Sequence, residues 1–357
     1  MKAMKSINYL NLFFVVLMAM AIGAALEVSP VMTFGCLVAL SLVPMPKGVA
    51  MMAITREIWT KDIVENLYKD NGFAMRAFNA DMYVLQGKVV HIPVAGAAST
   101  ITKNATSFPV SAVKRTDTDA TYNLDTFYST PRHIEQIEKY ELEYDKRQSV
   151  LGEDQRALTE AAMEALLYNW APAAAKTALT TGASRAATLS GATGNRKKFD
   201  KAEFSTIKLA MDAASVPANG RVAVLTAYHY NDFLASLTDA ERTDIGRVAN
   251  LETGLIGKYL GFEIYMRSTV LRYRGADGSQ APVDEQASGY AASDKTSDRA
   301  ASLFYHDMHV ERALGEVDIF DNPRQAEYYG DVLSMILRLG GRIRKAEGVW
   351  AAVEAIV

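Results

Sequence analysis

Between Pro109 and Pro131 the chain reads "PVSAVKRTDTDATYNLDTFYSTP", a stretch dense in Thr, Tyr and Val and broken throughout by Lys, Arg and Asp. Residues of the first kind favour extended strands, so one or two long polar strands are predicted here. Such strands constrain the fold strongly, because two strands this polar bury almost nothing against each other. A lone hairpin is marginal in water. The stretch therefore needs another surface to lie on, and the sequence points to a neighbouring subunit as its source.

The remainder mixes helices and strands. "TREIWTKDIVENLYKDN" sets Ile58, Trp59, Ile63 and Leu67 at near-helical spacing, and Asn71-Gly72 closes the segment. In "GKVVHIPVAG", Val90, Ile92 and Val94 alternate with Val89, His91 and Pro93, a short strand that Pro93 pushes to an edge. The strongest helix spans Asp154 to Trp170, rich in Ala, Leu, Glu and Met and punctuated by Pro172. After the connector "TTGASRAATLSGATGNRK", Asp200 and Glu203 form the pattern of a capping box ahead of Phe204, Ile207, Met211 and Ala214.

"VPANGRVAVLTAYHYNDFLASL" then reads as a turn at Asn219-Gly220, a buried strand Val222–Leu225 and a helix. "GLIGKYLGFEIYMRSTV" predicts a turn leading into a strand with Phe262, Ile264 and Met266 on one face. From Arg272 to Arg299, Gly, Ser, Ala and Asp suggest an exposed loop. "ASLFYHDMHVERALGEVDIF" holds another strand, and "YYGDVLSMILRLGGRIRKAEGVWAAV" a strand pair or one continuous strand. Without regular βαβ repetition, the class is α+β.

The N-terminal region is of another kind. From Tyr9 to Pro46 the one charged residue is Glu27, leaving uncharged runs of eighteen and nineteen residues on either side. Each is close to the ~20 residues that cross a bilayer core. With Lys2, Lys5 and Lys47 on one side, residues 1–51 read as a membrane hairpin turning at Glu27, Ser29 and Pro30. The second reading is a misassigned upstream segment. Lys47-Gly48-Val49 is codable as a purine-rich ribosome-binding sequence just ahead of Met51 and Met52. Both readings stand at this level.

At 357 residues the chain has room for one large or two or three ordinary domains. A net charge of −3 argues against a protein that wraps nucleic acid by counterion release. Cys36 is the single cysteine, so no intrachain disulfide and no cysteine-based metal site is expected. His306 and His309 are the nearest approach to a metal pair, but residues three apart on a strand face opposite ways. His91, His133 and His229 stand in no motif. "GLIGKYLGF" lacks the phosphate-loop order because Tyr259 follows Lys258. Neither G-x-S-x-G nor H-E-x-x-H occurs, and no catalytic residue, cofactor or metal ligand is assigned.

The order of parts carries a resemblance. "PANGRVAVLTAYHYNDFL", "GLIGKYLGFEIYMRSTV", "GKVVHIPVAGAASTITKN" and "VKRTDTDATYNLDTFY", in a segment starting at "MAITREIWTKDIVENLYKDN", resemble the major capsid proteins of tailed double-stranded DNA bacteriophages. Those proteins have the Hong Kong 97-type fold, and the resemblance is closest to capsid proteins of phages infecting Bacteroides and relatives. It covers Met52 to Val357 and leaves residues 1–51 outside.

It implies an N-terminal arm over 52–78 and an extended β-hairpin loop over 79–135 that lies across a neighbouring subunit. A peripheral domain over 136–214 would carry a spine helix at 154–170, with an axial domain over 215–325 and a return strand in 326–357. Gly87, Lys88, His91, Lys103, Lys114 and Arg115 would then lie at the subunit interface. The implied partners are further copies in pentamers and hexamers, with portal and scaffolding proteins. DNA would be enclosed without sequence-specific binding, and a membrane engaged only if residues 1–51 are retained. The implied place is the virion, after assembly in the host cytoplasm. Some shells of this family join Lys to Asn covalently; Lys88 and Lys103 lie in the loop, but no partner asparagine stands out and no crosslink is expected. The alternatives are an encapsulin-like compartment of the same fold and a membrane-anchored enzyme.

Overall fold

"RVAVLT" and "RAASLFYH" are apolar at consecutive positions, as strands covered on both faces are, and every residue of both is buried. They lie at the centre of the fold. A computed structural model describes the chain at residue 63 and over residues 71–85, 88–94, 101, 103–104, 114, 118–135, 146–246 and 254–357. All belong to one unit, Trp59–Val357. The hairpin read over residues 1–51 lies outside them. So does most of the helix read around Ile58–Leu67, of which Ile63 alone is described, helical and buried.

In chain order, α1 (Gly72–Met75) precedes β1 (Phe78–Asn79), β2 (Val84–Leu85), β3 (Val89–Val94), β4 (Thr118–Asn123), β5 (Asp125–Tyr128) and β6 (Arg132–Glu135). Helix α2 (Lys146–Asn169) leads to β7 (Thr177–Leu179), β8 (Ser184–Ala186), β9 (Asn195–Lys197) and α3 (Lys201–Ala213). Then come β10 (Arg221–Thr226), α4 (Ala227–Ser236), α5 (Asp239–Gly246), β11 (Leu255–Tyr259), β12 (Phe262–Arg267), β13 (Leu271–Arg274) and β14 (Ala281–Pro282). The last are β15 (Arg299–His306), β16 (Val310–Gln325), β17 (Gly330–Ile343) and β18 (Val349–Val353). The class is α+β, as read from the sequence.

Two sheets dominate. One runs β1-β16-β17-β5, with β6 also on β17; the other runs β11-β12-β10-β15-β13-β14, and β18 joins β15 to β7. Strand period explains how the second sheet buries both faces. Val222 and Val224 of β10 point to a core shared with Leu166, Trp170, Leu303, Tyr305 and Leu337. Ala223 and Leu225 point to another, with Phe204 and Met211 of α3, Phe233 of α4, Phe262, Ile264 and Phe304. The capping box of α3 forms as read. Asp200 accepts from the helix N-terminus while Glu203 accepts from Asp200 N at 2.6 Å.

Helix α2 begins at Lys146, earlier than the Asp154 read from sequence, and Trp170 follows its end. Trp170 is fully buried and donates from Nε1 to Glu311 O at 2.9 Å, fixing α2 to β16. Where β17 crosses this helix, Gly341 leaves no room for a side chain; a Cβ there would stand 2.5 Å from Leu166 Cδ1 and 2.8 Å from Trp170 Nε1.

Several expectations are corrected. Part of the polar stretch finds a neighbour within the chain: β5 and β6 pair with β17, while β4 pairs with β3. "GLIGKYLGFEIYMR" is a hairpin of β11 and β12 rather than a turn before one strand. Phe262 and Ile264 are buried there, but Met266 is 49% exposed at the strand's end. The stretch from Arg272 to Arg299 is not simply an exposed loop: Arg272, Tyr273, Gln280, Asp298 and Arg299 are buried. The final segment is two strands in different sheets, β17 paired with β16 and β18 with β15. The boundary at residues 325 and 326 thus falls within the β16–β17 hairpin. Pro93 pairs with Asp119 alone, since β2 reaches only Val89 and Val90 of β3.

Candidate functional site

One buried cluster has the residue types of a hydrolytic triad, and no sequence motif announces it. Thr226 caps α4 and accepts from His229 N at 3.2 Å, which sets His229 beneath the sheet. His229 Nδ1 lies 2.7 Å from Ser302 Oγ on β15, and its Nε2 lies 3.6 Å from the Glu354 carboxylate. Burial acts to raise the Glu354 carboxyl, but contacts from His229 and Arg185 outweigh it and hold its pKa below the ordinary range. Arg185 bonds Glu354 at 2.6 Å and also bonds Asp232 of α4. Ser302 is wholly buried in mid-strand, and its Oγ accepts from Thr226 N at 3.2 Å. No substrate atom can approach a hydroxyl so placed, so the cluster ties β8, α4, β15 and the end of β18 together.

His306 and His309 also depart from expectation. His306 ends β15 and caps the single turn Asp307–His309, so the two histidines do not share one continuous strand, and their rings lie 5.0 Å apart. His306 Nδ1 contacts Asp307 at 3.0 Å. Burial first, then His306 and Lys345, push the His309 imidazole below its ordinary pKa. Among the described residues no group of three or more His, Cys, Asp or Glu is arranged to hold a metal. His133 packs against Tyr328 at 5.7 Å.

Arginines organise the loop after β13. Asp298, fully buried, accepts from Arg274 at 2.5 Å and from Arg272 at 3.3 Å. Arg299 bonds Asp277 and the carbonyl of Gly275, and Arg196 donates to Asp298 O at 3.2 Å. Both ends of a Gly- and Ser-rich segment are thereby fixed to the sheet.

The exposed features lie elsewhere. β2, β3 and β4 form a small sheet whose core is Ala80, Val90, Ile92, Leu124 and Ala313. Of the residues expected at an interface, Lys88 sits exposed in the turn before β3, and His91 is half-buried on β3 opposite Thr121. Lys103 and Lys114 are exposed, while Gly87 and Arg115 lie outside the described residues. His91 thus lies on the small sheet and Lys88 in the turn that leads into it.

At the far end of the β16–β17 hairpin, Tyr328 and Tyr329 are 51% and 83% exposed. Beside β5, β6 and α2 runs a groove of about 460 Å³, lined by Phe127, Tyr128, Arg132, Asp154, Ala157 and Ala161 among others. Among the described residues, no helix is long and apolar enough to cross a membrane.

Comparisons identify this architecture. The structure of Mycobacterium phage Che8 aligns with a TM-score of 0.52 at 17% identity, covering 78% of this chain and 90% of that one. The capsid of Ralstonia phage GP4 gives 0.53 at 11% identity, covering 79% and 87%. The cyanophage Pam1 capsid gives 0.51 at 13% identity, covering 80% and 92%. A search of curated proteins finds no match. The fold is the tailed-phage capsid fold of the Hong Kong 97 type. A family model described as phage capsid protein matches residues 61–321, and this chain belongs to that family.

Proposed function

We propose that copies of this chain close into an icosahedral shell around double-stranded DNA, assembled in the host cytoplasm with scaffolding and portal proteins. As a family member the chain is a structural capsid protein of the virion, and not an enzyme. The β2–β3–β4 sheet of the extended loop carries the assembly reading: it has a small core yet holds Lys88 out to solvent, a form suited to lying on another copy. The same reading assigns the extended loop to 79–135 and the spine helix to α2. The axial part is assigned to the sheet around β10 and β15. A mildly acidic chain suits a container, since a basic wall would hold the genome by counterion release. The host group, phages of Bacteroides and relatives, rests on the sequence resemblance.

The test is electron microscopy of the purified chain and of particles from infected cells, with nuclease treatment before DNA extraction. Closed shells that protect double-stranded DNA are the expected result. Small oligomers alone, or shells holding protein cargo and no DNA, would refute the reading.

A further inference from the structure

Tyr329 is the most exposed described aromatic residue, and its backbone φ of +51° is one that a bulky side chain rarely adopts. The turn bearing it is held by the pairing of Gly330 with Glu135 on β6. With Gln325 paired to Gly330 across the hairpin, Tyr329 sits in the closing turn and does not line the groove of its own chain. The groove beside α2 is of a size that takes a ring, and Phe127 and Ala157 give it apolar wall. Its mouth carries Arg132, whose guanidinium is 3.6 Å from Asp154 and whose side chain is 62% exposed. The hairpin end carries both signs as well, with Glu327 and Arg324 flanking the tyrosines.

We propose that Tyr329 of one copy inserts into the groove between β5–β6 and α2 of a second copy, with Glu327 facing Arg132 and Arg324 facing Asp154. The inference rests on the shell reading and adds the pair of surfaces that meet. Repeated in one sense from copy to copy, the contact is head-to-tail and continues around a ring or closed surface; a reciprocal exchange of knob and groove would stop at a dimer and leave no shell. A rigid tyrosine that is solvent-exposed in the subunit and enclosed in the assembly is the kind of residue that dominates interface energy.

Cys36 is the chain's single cysteine, so Tyr329→Cys in a Cys36→Ser background creates one thiol for a benzophenone label. Labelled copies are assembled with an excess of unlabelled ones, irradiated, and mapped by mass spectrometry. Adducts from residue 329 to peptides containing residues 126–132 or 154–161 of another copy are expected. Adducts elsewhere, or labelled copies in particles without adducts, overturn the proposal. Should the label keep copies out of particles, Tyr329→Ala and Ala157→Arg decide. Each is expected to lower particle yield about tenfold with the melting temperature of the subunit unchanged. Normal yield from Tyr329→Ala, or from a folded Ala157→Arg, overturns it. If the unsubstituted chain forms no particles, the shell reading itself fails.

Discussion

Gly341 shows how one residue sets a distance between two elements. With β17 resting on Leu166 and Trp170, any side chain at this position must push the helix from the sheet. Gly341→Val is expected to destabilise the subunit by about 1–3 kcal/mol, the usual cost of overpacking. A urea midpoint equal to that of the unsubstituted chain would contradict this. His309 acts through its protonation state. Because its folded pKa lies below the ordinary ~6.5, the unfolded chain binds the proton more readily. Its stabilisation is complete above that value and is lost as pH falls towards the folded pKa. Melting temperatures taken from about pH 7.5 down to pH 5.5 should therefore fall in the unsubstituted chain and fall less in His309→Gln. Parallel curves for the two proteins would show that His309 is not responsible.

Helix α3 shows an element built from a local signal. Asp200→Ala removes its cap and should cost about 1 kcal/mol, measured by chemical denaturation. Glu203 does more than its place in the capping box implies, since it also accepts from Thr181 N at 2.6 Å and Thr181 Oγ1 at 2.8 Å. Glu203→Ala should therefore cost more than Asp200→Ala, and equal losses would argue against the second role. The cap, the buried strand β10 and helix α4 were legible because each depends on neighbours in sequence. The segment from Arg272 to Arg299 was not. Its Gly and Ser content reads as solvent-exposed, while the arginine–Asp298 pairing that buries its ends joins distant positions. The same limit hid Ser302, His229 and Glu354, which come from three separate elements. Periodicity placed Met266 with Phe262 and Ile264 on one face, but it carries no information about where the covering helices stop. Nor did the polarity of residues 118–135 reveal that β17 of the same chain receives β5 and β6 while β4 pairs with β3.

Across the whole molecule, stability and assembly draw on different residues. Lys88, Lys103 and Lys114 are exposed. Replacing all three with Glu is expected to change subunit stability by less than about 0.5 kcal/mol for each residue. Particle yield should nevertheless drop several-fold under the proposed interface role. Unaltered particle formation by the triple variant would remove these lysines from the interface. An equal loss of subunit stability would make their role internal.

The position of β18 also matters while the chain is being synthesised. Ala351 pairs with Thr177 on one side and Leu303 on the other, so β18 lies between strands made long before it. While a ribosome is still short of Val353, β7 and β15 each present an open edge, the form of backbone that templates aggregation. Nascent chains carry this hazard on every transcript being translated, and its duration is set by translation speed and not by subunit concentration. Slower elongation over the last strand would lengthen the exposure, and a chaperone that shields sheet edges would matter most in that interval.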